Sequence, residues 1–378
     1  MKSLKYFILF SVIMLLSSCV TKFIPEIDEK RELVVVEGMI TDQPGINTIK
    51  LYKSLPLGRK IAAVPLRGCV VTITDDLGNS SKLYESVYGT YVTKAAEFCG
   101  VVGRKYTLKI LTNNISTNNY SYESLPMEMK PVPPIDNIFY EKEVIEEASQ
   151  GVQLKEGCQV YLSTSDPENN CKLFRWDYVE TWEFRLPYDV PNRICWVTNN
   201  SSKITIKNTS ALTENRISRY PLSFISNETD RLKIKYSMLV NQYSLNGDEY
   251  VYWEKMQNMT ESVGSLYDIT PASVSSNVFC IEDPNEKVLG YFSVSAKTSK
   301  RLFIEEAFSG VIDLYPGCPS DTIPGSRTVI PNLGRLVWVI IDGTLDMPPY
   351  RVLTNDKNCA DCSIRGSNVK PLFWDSNK

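Results

Sequence analysis

Short runs of β-branched and aromatic residues, separated by polar turns, dominate the first third of the chain. Leu33 to Gly38 is β-branched, Asn47 to Tyr52 alternates apolar and polar positions, and Cys69 to Thr74 leads into a turn at Asp75 to Gly78. Period-two alternation is typical of strands with one buried face. Short strands at this spacing, bounded by turn residues, favour a sandwich. We therefore predict an immunoglobulin-like β-sandwich over residues 32–125.

A proline-rich segment follows, with Pro126, Pro131, Pro133 and Pro134 close together. Proline cannot donate to a sheet ladder and favours extended linkers. We therefore place a linker at residues 126–135 and a second domain at residues 136–378.

The second region also consists mainly of strand patterns. One strand is expected from Leu173 to Phe184, and a second alternation runs from Leu232 to Val240. On the first of these strands, Glu180 shares its face with Phe174, Trp176, Tyr178, Trp182 and Phe184. The predicted fold class is therefore mainly β, an N-terminal immunoglobulin-like sandwich followed by a larger, β-rich, sandwich-like domain with one helix.

That helix is predicted from Gly247 to Met259. Asn246 is a suitable N-cap, and Glu249 stands at the third helical position, which is close to a capping box.

The N-terminus carries the pattern of an export signal. Lys2 and Lys5 precede an apolar run that ends in Leu16-Ser17-Ser18-Cys19. This order is typical of a bacterial lipoprotein signal, so we expect removal of residues 1–18, lipidation of Cys19 and a tether over residues 19–31. The run is too short for a spanning helix, which needs about 20 residues. A plain secretory signal with an incidental cysteine stays open as an alternative.

Composition excludes several kinds of chemistry. The chain has no histidine, which excludes Ser-His-Asp and Cys-His catalysis and the zinc sites that use histidine. The net charge is −3 and no basic run stands out, so we expect no nucleic-acid partner. No phosphate-binding loop or Gly-x-Ser-x-Gly motif occurs, and we predict no enzyme activity, no cofactor and no metal.

The chain has ten cysteines, and an odd number remains once Cys19 is set aside for lipidation. An exported chain meets oxidising conditions, so disulfides are expected and at least one thiol stays free or pairs elsewhere. Cys69 and Cys99 lie in one predicted domain and are candidates to pair. Cys359 and Cys362 have redox or zinc-knuckle spacing, but no helix opens after them and no second pair has that spacing. We expect each to bond a different partner, with Cys195 and Cys318 as candidates.

Two polar features are candidates for chemistry. Glu180 among aromatic residues could act as a general acid in a carboxylate-dependent hydrolase of glycans. The alternatives are a β-bulge that turns it outward, or a buried ion pair with an arginine such as Arg175 or Arg193. The run Asp166 to Asn170 is rich in oxygen ligands but lacks the spacing of a calcium loop, which favours a solvated turn.

Several motifs along the mature chain resemble a family of outer-membrane lipoproteins of the Bacteroidetes, domain of unknown function 4249. These motifs are Val35 to Asp42, Glu180 to Phe184, Cys195-Trp196, Tyr236-Ser237, Gln242 to Leu245, Tyr252 to Glu254, Gly264 to Asp268, Pro271 to Val274, Gly290 to Ser293, Lys300 to Ile304, Cys362-x-x-Arg365-Gly366 and Lys370-Pro371-x-Phe373-Trp374. The resemblance implies an accessory role beside a TonB-dependent outer-membrane receptor in nutrient uptake, and it carries over no catalytic residue.

The expected function is therefore a non-enzymatic accessory or binding lipoprotein, held in the outer membrane by lipid. A hydrolase and a structural or adhesion protein of the envelope are the alternatives. The residues after Cys19, Val20 to Phe23, lack the acidic residues found at this place in some surface-exposed lipoproteins of the phylum. The periplasmic and the surface face of the membrane therefore both stay open.

Overall fold

A computed structural model of the protein describes residues 33–54, 63–95, 97–112, 120–147, 153–188, 190–261, 274–308, 311, 320–324, 338–342, 350–354 and 356–376. The predicted signal, Cys19 and the tether lie outside these residues. The fold is mainly β, as predicted, and one α-helix occurs within the described ranges.

The strands of the N-terminal region are β1 (Val34–Thr41), β2 (Thr48–Lys53), β3 (Val64–Pro65), β4 (Val70–Asp75), β5 (Ser80–Lys82), β6 (Tyr84–Val87), β7 (Thr90–Val92), β8 (Lys105–Leu111), β9 (Ser121–Ser124) and β10 (Met127–Glu128). The rest of the chain adds β11 (Ile135–Glu147), β12 (Gln153–Ser165), β13 (Leu173–Arg185), β14 (Ile194–Asn200), β15 (Thr205–Asn208), β16 (Arg216–Ser226), β17 (Tyr236–Ser244), helix α1 (Gly247–Glu261), β18 (Val278–Cys280), β19 (Val288–Ser295), β20 (Lys297–Ile304), β21 (Ser320–Pro324), β22 (Trp338–Asp342) and β23 (Tyr350–Thr354).

Two six-stranded sheets form the first sandwich. One has the order β19-β1-β2-β7-β6 with β3 beside β2, and the other has β18-β9-β8-β4-β5 with β10 beside β8. The alternation in β8 shows the cause, because Tyr106, Leu108 and Ile110 are buried in the core whereas Lys105 and Lys109 are exposed. Core side chains of both sheets are almost completely buried, among them Val36, Ile49, Leu51 and Val71.

The first sandwich is completed by strands from late in the chain, which corrects the predicted boundary at residue 125. β19 pairs in parallel with β1, from Val34 opposite Val288 to Thr41 opposite Ser295, and β18 pairs with β9. The apolar pattern of β19 predicts a strand but carries no information about its partner. Parallel strands need a crossover connection, so their partners are distant in sequence.

The second sandwich packs the sheet β11-β12-β16 against the sheet β14-β13-β17-β20, in which β15 also pairs with β13. The predicted faces of β13 and β17 are confirmed. Phe174, Trp176 and Trp182 are buried in one core together with Tyr236 and the alternating residues that follow it. β21, β23 and β22 form a separate three-stranded sheet.

The predicted linker at residues 126–135 is wrong as a description of this segment, because the segment packs and pairs along its length. β10 pairs with β8, and Met129 is fully buried in the first core. Lys130 forms a bridge with Ser295, and its carbonyl accepts a hydrogen bond from Ser244 Oγ at 2.6 Å. The prolines set an extended backbone whose carbonyls are taken up by neighbouring side chains.

The two sandwiches meet at a junction where segments of the chain cross from one to the other. β19 at the edge of the first sandwich passes into β20 at the edge of the second through Ala296 alone. Beside it runs the segment of Lys130, and Gln242 Nε2 donates to the carbonyl of Pro133 at 2.8 Å. These hydrogen bonds and the short connection fix one sandwich against the other.

None of the helices within the described ranges is long and apolar enough to span a bilayer.

Candidate functional site at the junction

Helix α1 lies across the junction and touches both sandwiches. Tyr252 packs against Tyr291 of β19, with ring centroids 4.7 Å apart. On the other side, Gln257 Nε2 donates to the carbonyl of Ile204, just before β15, at 2.9 Å. A movement of the helix would therefore change contacts with both sandwiches.

The start of α1 follows the sequence signal in part. The amide N–H of Tyr250 donates to the carbonyl of Asn246 at 2.9 Å, and the backbone N–H of Asn246 donates to the Glu249 carboxyl. The Asn246 side chain does not cap the helix but donates through Nδ2 to the carbonyl of Glu128 at 2.8 Å. The predicted helix is confirmed, and it ends at Glu261 rather than Met259.

Arg175 of β13 joins several elements at the junction. Its guanidinium carbon lies 4.8 Å from the ring centroid of Tyr243 and 4.5 Å from that of Trp253. Its ion pair is with Asp177 (Nη2 to Oδ2, 3.5 Å), and Nη2 also lies 3.8 Å from Met39 Sδ of β1. Cation–π contacts of this kind contribute about 0.5–2 kcal/mol each. Arg175 therefore helps to hold α1 and both sandwiches together.

Glu249 is the most unusual residue of the junction. It is 1% exposed, and its Oε1 accepts a hydrogen bond from Trp253 Nε1 at 3.4 Å. Its Oε2 has no hydrogen-bond partner within the described part of the chain. Buried polar atoms are normally hydrogen-bonded, and an unpaired one costs free energy.

Three more buried polar atoms on the strands of the junction also lack partners among the described residues: Arg175 Nε, Tyr291 Oη and Ser295 Oγ. Tyr291 and Ser295 stand on β19 opposite Glu37 and Thr41 of β1, and Ser293 between them is opposite Met39, which Arg175 contacts. The unpaired atoms thus belong to one polar region, which we call the junction cluster: Arg175, Glu249, Tyr291, Ser293 and Ser295.

Burial raises the pKa of Glu249 to about 7, against the lowering influence of Ser293, Arg175, Trp253 and the Asn246 N–H. Burial also raises the pKa of Tyr291, and the nearby Glu249 adds to this shift. Glu249 is thus a carboxylic acid that gains or loses its proton near neutrality, and proton uptake is the chemistry that this cluster can perform. No group of three or more His, Cys, Asp or Glu able to hold a metal occurs within the described ranges.

The predicted site residue Glu180 lies elsewhere, in the second sandwich. It is 8% exposed, its Oε2 lies 3.1 Å from Arg231 Nη1, and it accepts a hydrogen bond from Tyr236 Oη at 2.8 Å. The partner is Arg231, not Arg175 or Arg193, because the short 3-10 helix Asp230–Leu232 packs against β13. Glu180 is thus held in a buried ion pair and is not presented as a free acid.

The expectation of a disulfide is confirmed, and it involves Cys195, one of the two candidate partners, whereas the candidate pair Cys69 and Cys99 is not bonded. Cys195 is bonded to Cys362, with their Cα atoms 5.7 Å apart. Cys359 is also disulfide-bonded, and Cys318 lies outside the described residues. Cys69 and Cys99 are free thiols.

The two free thiols contact different parts of the first sandwich. Cys99 Sγ lies 3.0 Å from the carbonyl of Asp42 after β1, whereas the Cys69 N–H donates to Tyr91 Oη at 2.9 Å. Membership of one domain was therefore not enough to bring these thiols together.

The oxygen-rich run at residues 166–170 forms a turn that satisfies its own polar groups. Asp166 Oδ2 accepts from the N–H of Cys171 at 2.7 Å, and its carbonyl accepts from the N–H of Asn169 at 3.1 Å. Asn169 has a φ of 58°, a left-handed conformation that asparagine tolerates in turns. The turn is as predicted, although Asp166 itself is buried rather than solvated.

The sequence singled out none of the junction cluster as a site. The sequence pattern explains Glu249 as part of a capping box and offers Arg175 only as a partner for Glu180. Glutamate at the third position of a helix is common, so only the packing of both sandwiches around α1 distinguishes this one. The one available signal is Arg175, a cation within the apolar strand predicted from Leu173 to Phe184.

A family model described as Domain of unknown function (DUF4249) matches residues 20–301. The match covers most of the chain, both sandwiches and α1, so the protein belongs to this family. The matched range contains the junction cluster and Glu180 and ends before the disulfide partner Cys362. No curated protein matches the chain.

Proposed function

We propose that this protein is a lipid-anchored, non-enzymatic accessory or binding component of the outer membrane, and that it works beside a TonB-dependent receptor in nutrient uptake. The observation that carries the proposal is the Leu16-Ser17-Ser18-Cys19 sequence after a basic and then an apolar segment. Cleavage before Cys19 gives a new N-terminus whose thiol accepts lipid. Attached acyl chains contribute about 0.8 kcal/mol per buried methylene, so more than one chain gives a stable anchor.

The position of β1 favours attachment of the lipid anchor at the end of the first sandwich that is opposite the junction. β1 starts at Val34, and its other end lies at the junction, where the N–H of Lys297 donates to Asp42 Oδ1 at 2.8 Å. The tether would therefore join the first sandwich at the end opposite the junction. An extended chain reaches at most about 3.6 Å per residue, so a tether over 19–31 keeps the body close to the bilayer.

A binding role is favoured over a hydrolytic one because Glu180, the acid on which the hydrolase alternative depends, is paired with Arg231 and Tyr236. Two sandwiches fixed to each other present a large, ordered surface, which suits contact with another protein. The family resemblance adds the class of partner, a TonB-dependent outer-membrane receptor.

Expression of the full chain and its Cys19→Ser variant tests the anchor. We expect mass spectrometry to find an acylated N-terminal cysteine in the wild type, and we expect the variant to leave the membrane fraction. The matched control is Cys99→Ser, which changes an exposed free thiol and should stay in the membrane. An unmodified N-terminus, or a Cys19→Ser variant that remains membrane-bound, would contradict the proposal.

Affinity capture from mildly solubilised outer membranes tests the partner. We expect a β-barrel receptor to copurify in fixed ratio with the wild-type protein. Recovery of the lipoprotein alone, with its acylation intact, would leave the anchor standing and remove the receptor from the account.

A further inference from the structure

We propose that Glu249 is a proton-dependent latch: its neutral carboxyl holds α1 against both sandwiches, and loss of the proton loosens α1 from the junction. The inference concerns the junction itself and does not rest on the proposed receptor partnership.

The position of the Glu249 carboxyl couples it to the first turn of α1. Glu249 is in the first turn of α1, the only α-helix in the described part of the chain, and it is enclosed where α1 meets β13 and β19. Its Oε1 is bonded to Trp253, which in turn stacks on Arg175. Any movement that hydrates Glu249 must therefore also move the first turn of α1 and disturb the Trp253–Arg175 contact.

A charge on the Glu249 carboxylate is only partly compensated, because burial outweighs the neighbours that favour the charge. Arg175 is the nearest cation, but its ion pair is with Asp177, and its Nε has no partner among the residues described. A neutral carboxyl group can be buried in this region at a modest cost in free energy. An ionised carboxylate that has lost its water and gained no ion pair is far more costly.

The charged and titratable groups around Glu249 come from every element packed against it. They are Asp248 and Tyr252 on α1, Arg175 and Asp177 on β13, the exposed Lys207 on β15, Tyr243 on β17, Tyr291 on β19, Glu37 on β1, Tyr52 on β2 and Lys297 on β20. Of these groups, Arg175 favours a negative charge on Glu249, and burial opposes that charge more strongly. Lys297 lies 5.9 Å from the ring centroid of Tyr243, and Arg175, the cation that favours a charge on Glu249, is paired with Asp177.

The direction of the effect follows from linkage. Burial raises the pKa of Glu249 to about 7 from an ordinary value of 4.5, so the closed junction holds a proton that the open, hydrated carboxyl releases. The open form therefore gains population as the pH rises through the interval between these values, and the gain levels off above pH 7. Between pH 6 and pH 8 the linkage relation gives about a tenfold increase in opening.

Hydrogen–deuterium exchange of the full-length protein tests the latch. The readout is the exchange of the amides of residues 247–261, corrected for the intrinsic pH dependence of exchange, at pH 6, 7 and 8. The test variant is Glu249→Gln, which keeps the size and hydrogen-bonding oxygen of the side chain but cannot ionise. The matched control is Glu254→Gln, which removes the same charge from an exposed position of the same helix.

We expect the wild type and Glu254→Gln to show about a tenfold rise in corrected exchange of α1 between pH 6 and pH 8. We expect Glu249→Gln to show protection that does not change with pH. A wild-type profile without pH dependence would overturn the proposal even if the variant failed to fold. A Glu249→Gln profile that rises like the wild type would overturn it as well.

Discussion

The junction and the opposite end of the second sandwich each bury a glutamate, and the two regions treat its charge differently. We call the second region the far end; it contains Glu180, Asp230, Arg231, Arg365 and the Cys195–Cys362 disulfide. Glu180 at the far end has an arginine at 3.1 Å and a tyrosine hydroxyl at 2.8 Å. Glu249 at the junction is buried more deeply, but its donors are neutral, namely Trp253 Nε1 at 3.4 Å and the Asn246 N–H, and its Oε2 has no partner in the described chain. The comparison teaches that burial alone does not describe a buried carboxyl, because Glu180 has a cation within ion-pair distance and Glu249 has none in the described chain.

The far end has further cross-links that the junction lacks. Arg365 donates to the Asp230 carboxylate through Nη1 at 2.5 Å and Nη2 at 2.8 Å. The Cys195–Cys362 disulfide fixes the same C-terminal segment to β14. The junction is held instead by hydrogen bonds to backbone carbonyls and by aromatic contacts with Arg175. We therefore expect the far end to be insensitive to pH near neutrality and the junction to respond.

The largest expected effect comes from removing the disulfide. The Cys195→Ala/Cys362→Ala variant frees a loop with a sequence separation of 167 residues and should lose about 4 kcal/mol of unfolding free energy in urea. The control is Cys99→Ala, which changes a free, exposed thiol and should be close to neutral. A loss below about 1 kcal/mol would mean that the far end does not depend on this cross-link.

The next effect tests the ion pair of Glu180. Arg231→Met leaves a buried carboxylate without its cation, and we expect a loss of about 3 kcal/mol in the same assay. The double variant Glu180→Gln/Arg231→Met removes both charges and should recover much of this loss. Equal stability of the single and double variants would show that the loss does not come from leaving the Glu180 carboxylate without Arg231.

A third substitution should act in the opposite direction. Glu249→Gln removes a group whose folded pKa, about 7, lies above the ordinary 4.5, so ionisation of this group destabilises the folded state progressively as pH rises through this window. We expect the variant to be more stable than the wild type by up to about 3 kcal/mol at pH 8 and to have no such advantage below pH 4.5. A variant less stable than the wild type at pH 8 would contradict this account.

The smallest effects compare two buried tyrosines. Tyr236 Oη donates to Glu180, so Tyr236→Phe should cost about 1.5 kcal/mol. Tyr291 Oη has no partner among the described residues, so Tyr291→Phe should change unfolding free energy by less than about 0.5 kcal/mol. Urea unfolding of both variants at one pH gives the result, and equal losses would remove the distinction between the two regions.

Much of the fold could be predicted from local patterns. The alternations in β13 and β17 and the start of α1 follow from period-two spacing and from Asn246 with Glu249. The parallel pairing of β1 with β19 could not be predicted, because alternation indicates which face of a strand is buried but not which strand pairs with it. The prolines around Lys130 were misread as a linker because their backbone is extended, and their packing depends on Ser244 and Gln242 from a distant strand.

The candidate site was harder to predict than the fold. Glu180 stood out because it interrupts an aromatic face, but its partner Arg231 is distant in sequence and is placed by the fold. Glu249 did not stand out, because its identity fits an ordinary helix start. Its environment arises only when β13, β19 and α1 assemble, and this information is not present in any local window.

The most direct test of the central claim is a titration of Glu249 itself in the full-length protein. The carboxyl carbons of glutamate are labelled with ¹³C, and the resonance absent from the Glu249→Gln spectrum is followed with pH. The account predicts a midpoint near pH 7 for that resonance. A midpoint near the ordinary glutamate value of about 4.3 would contradict it, because the junction would then stabilise the charge that we infer it excludes.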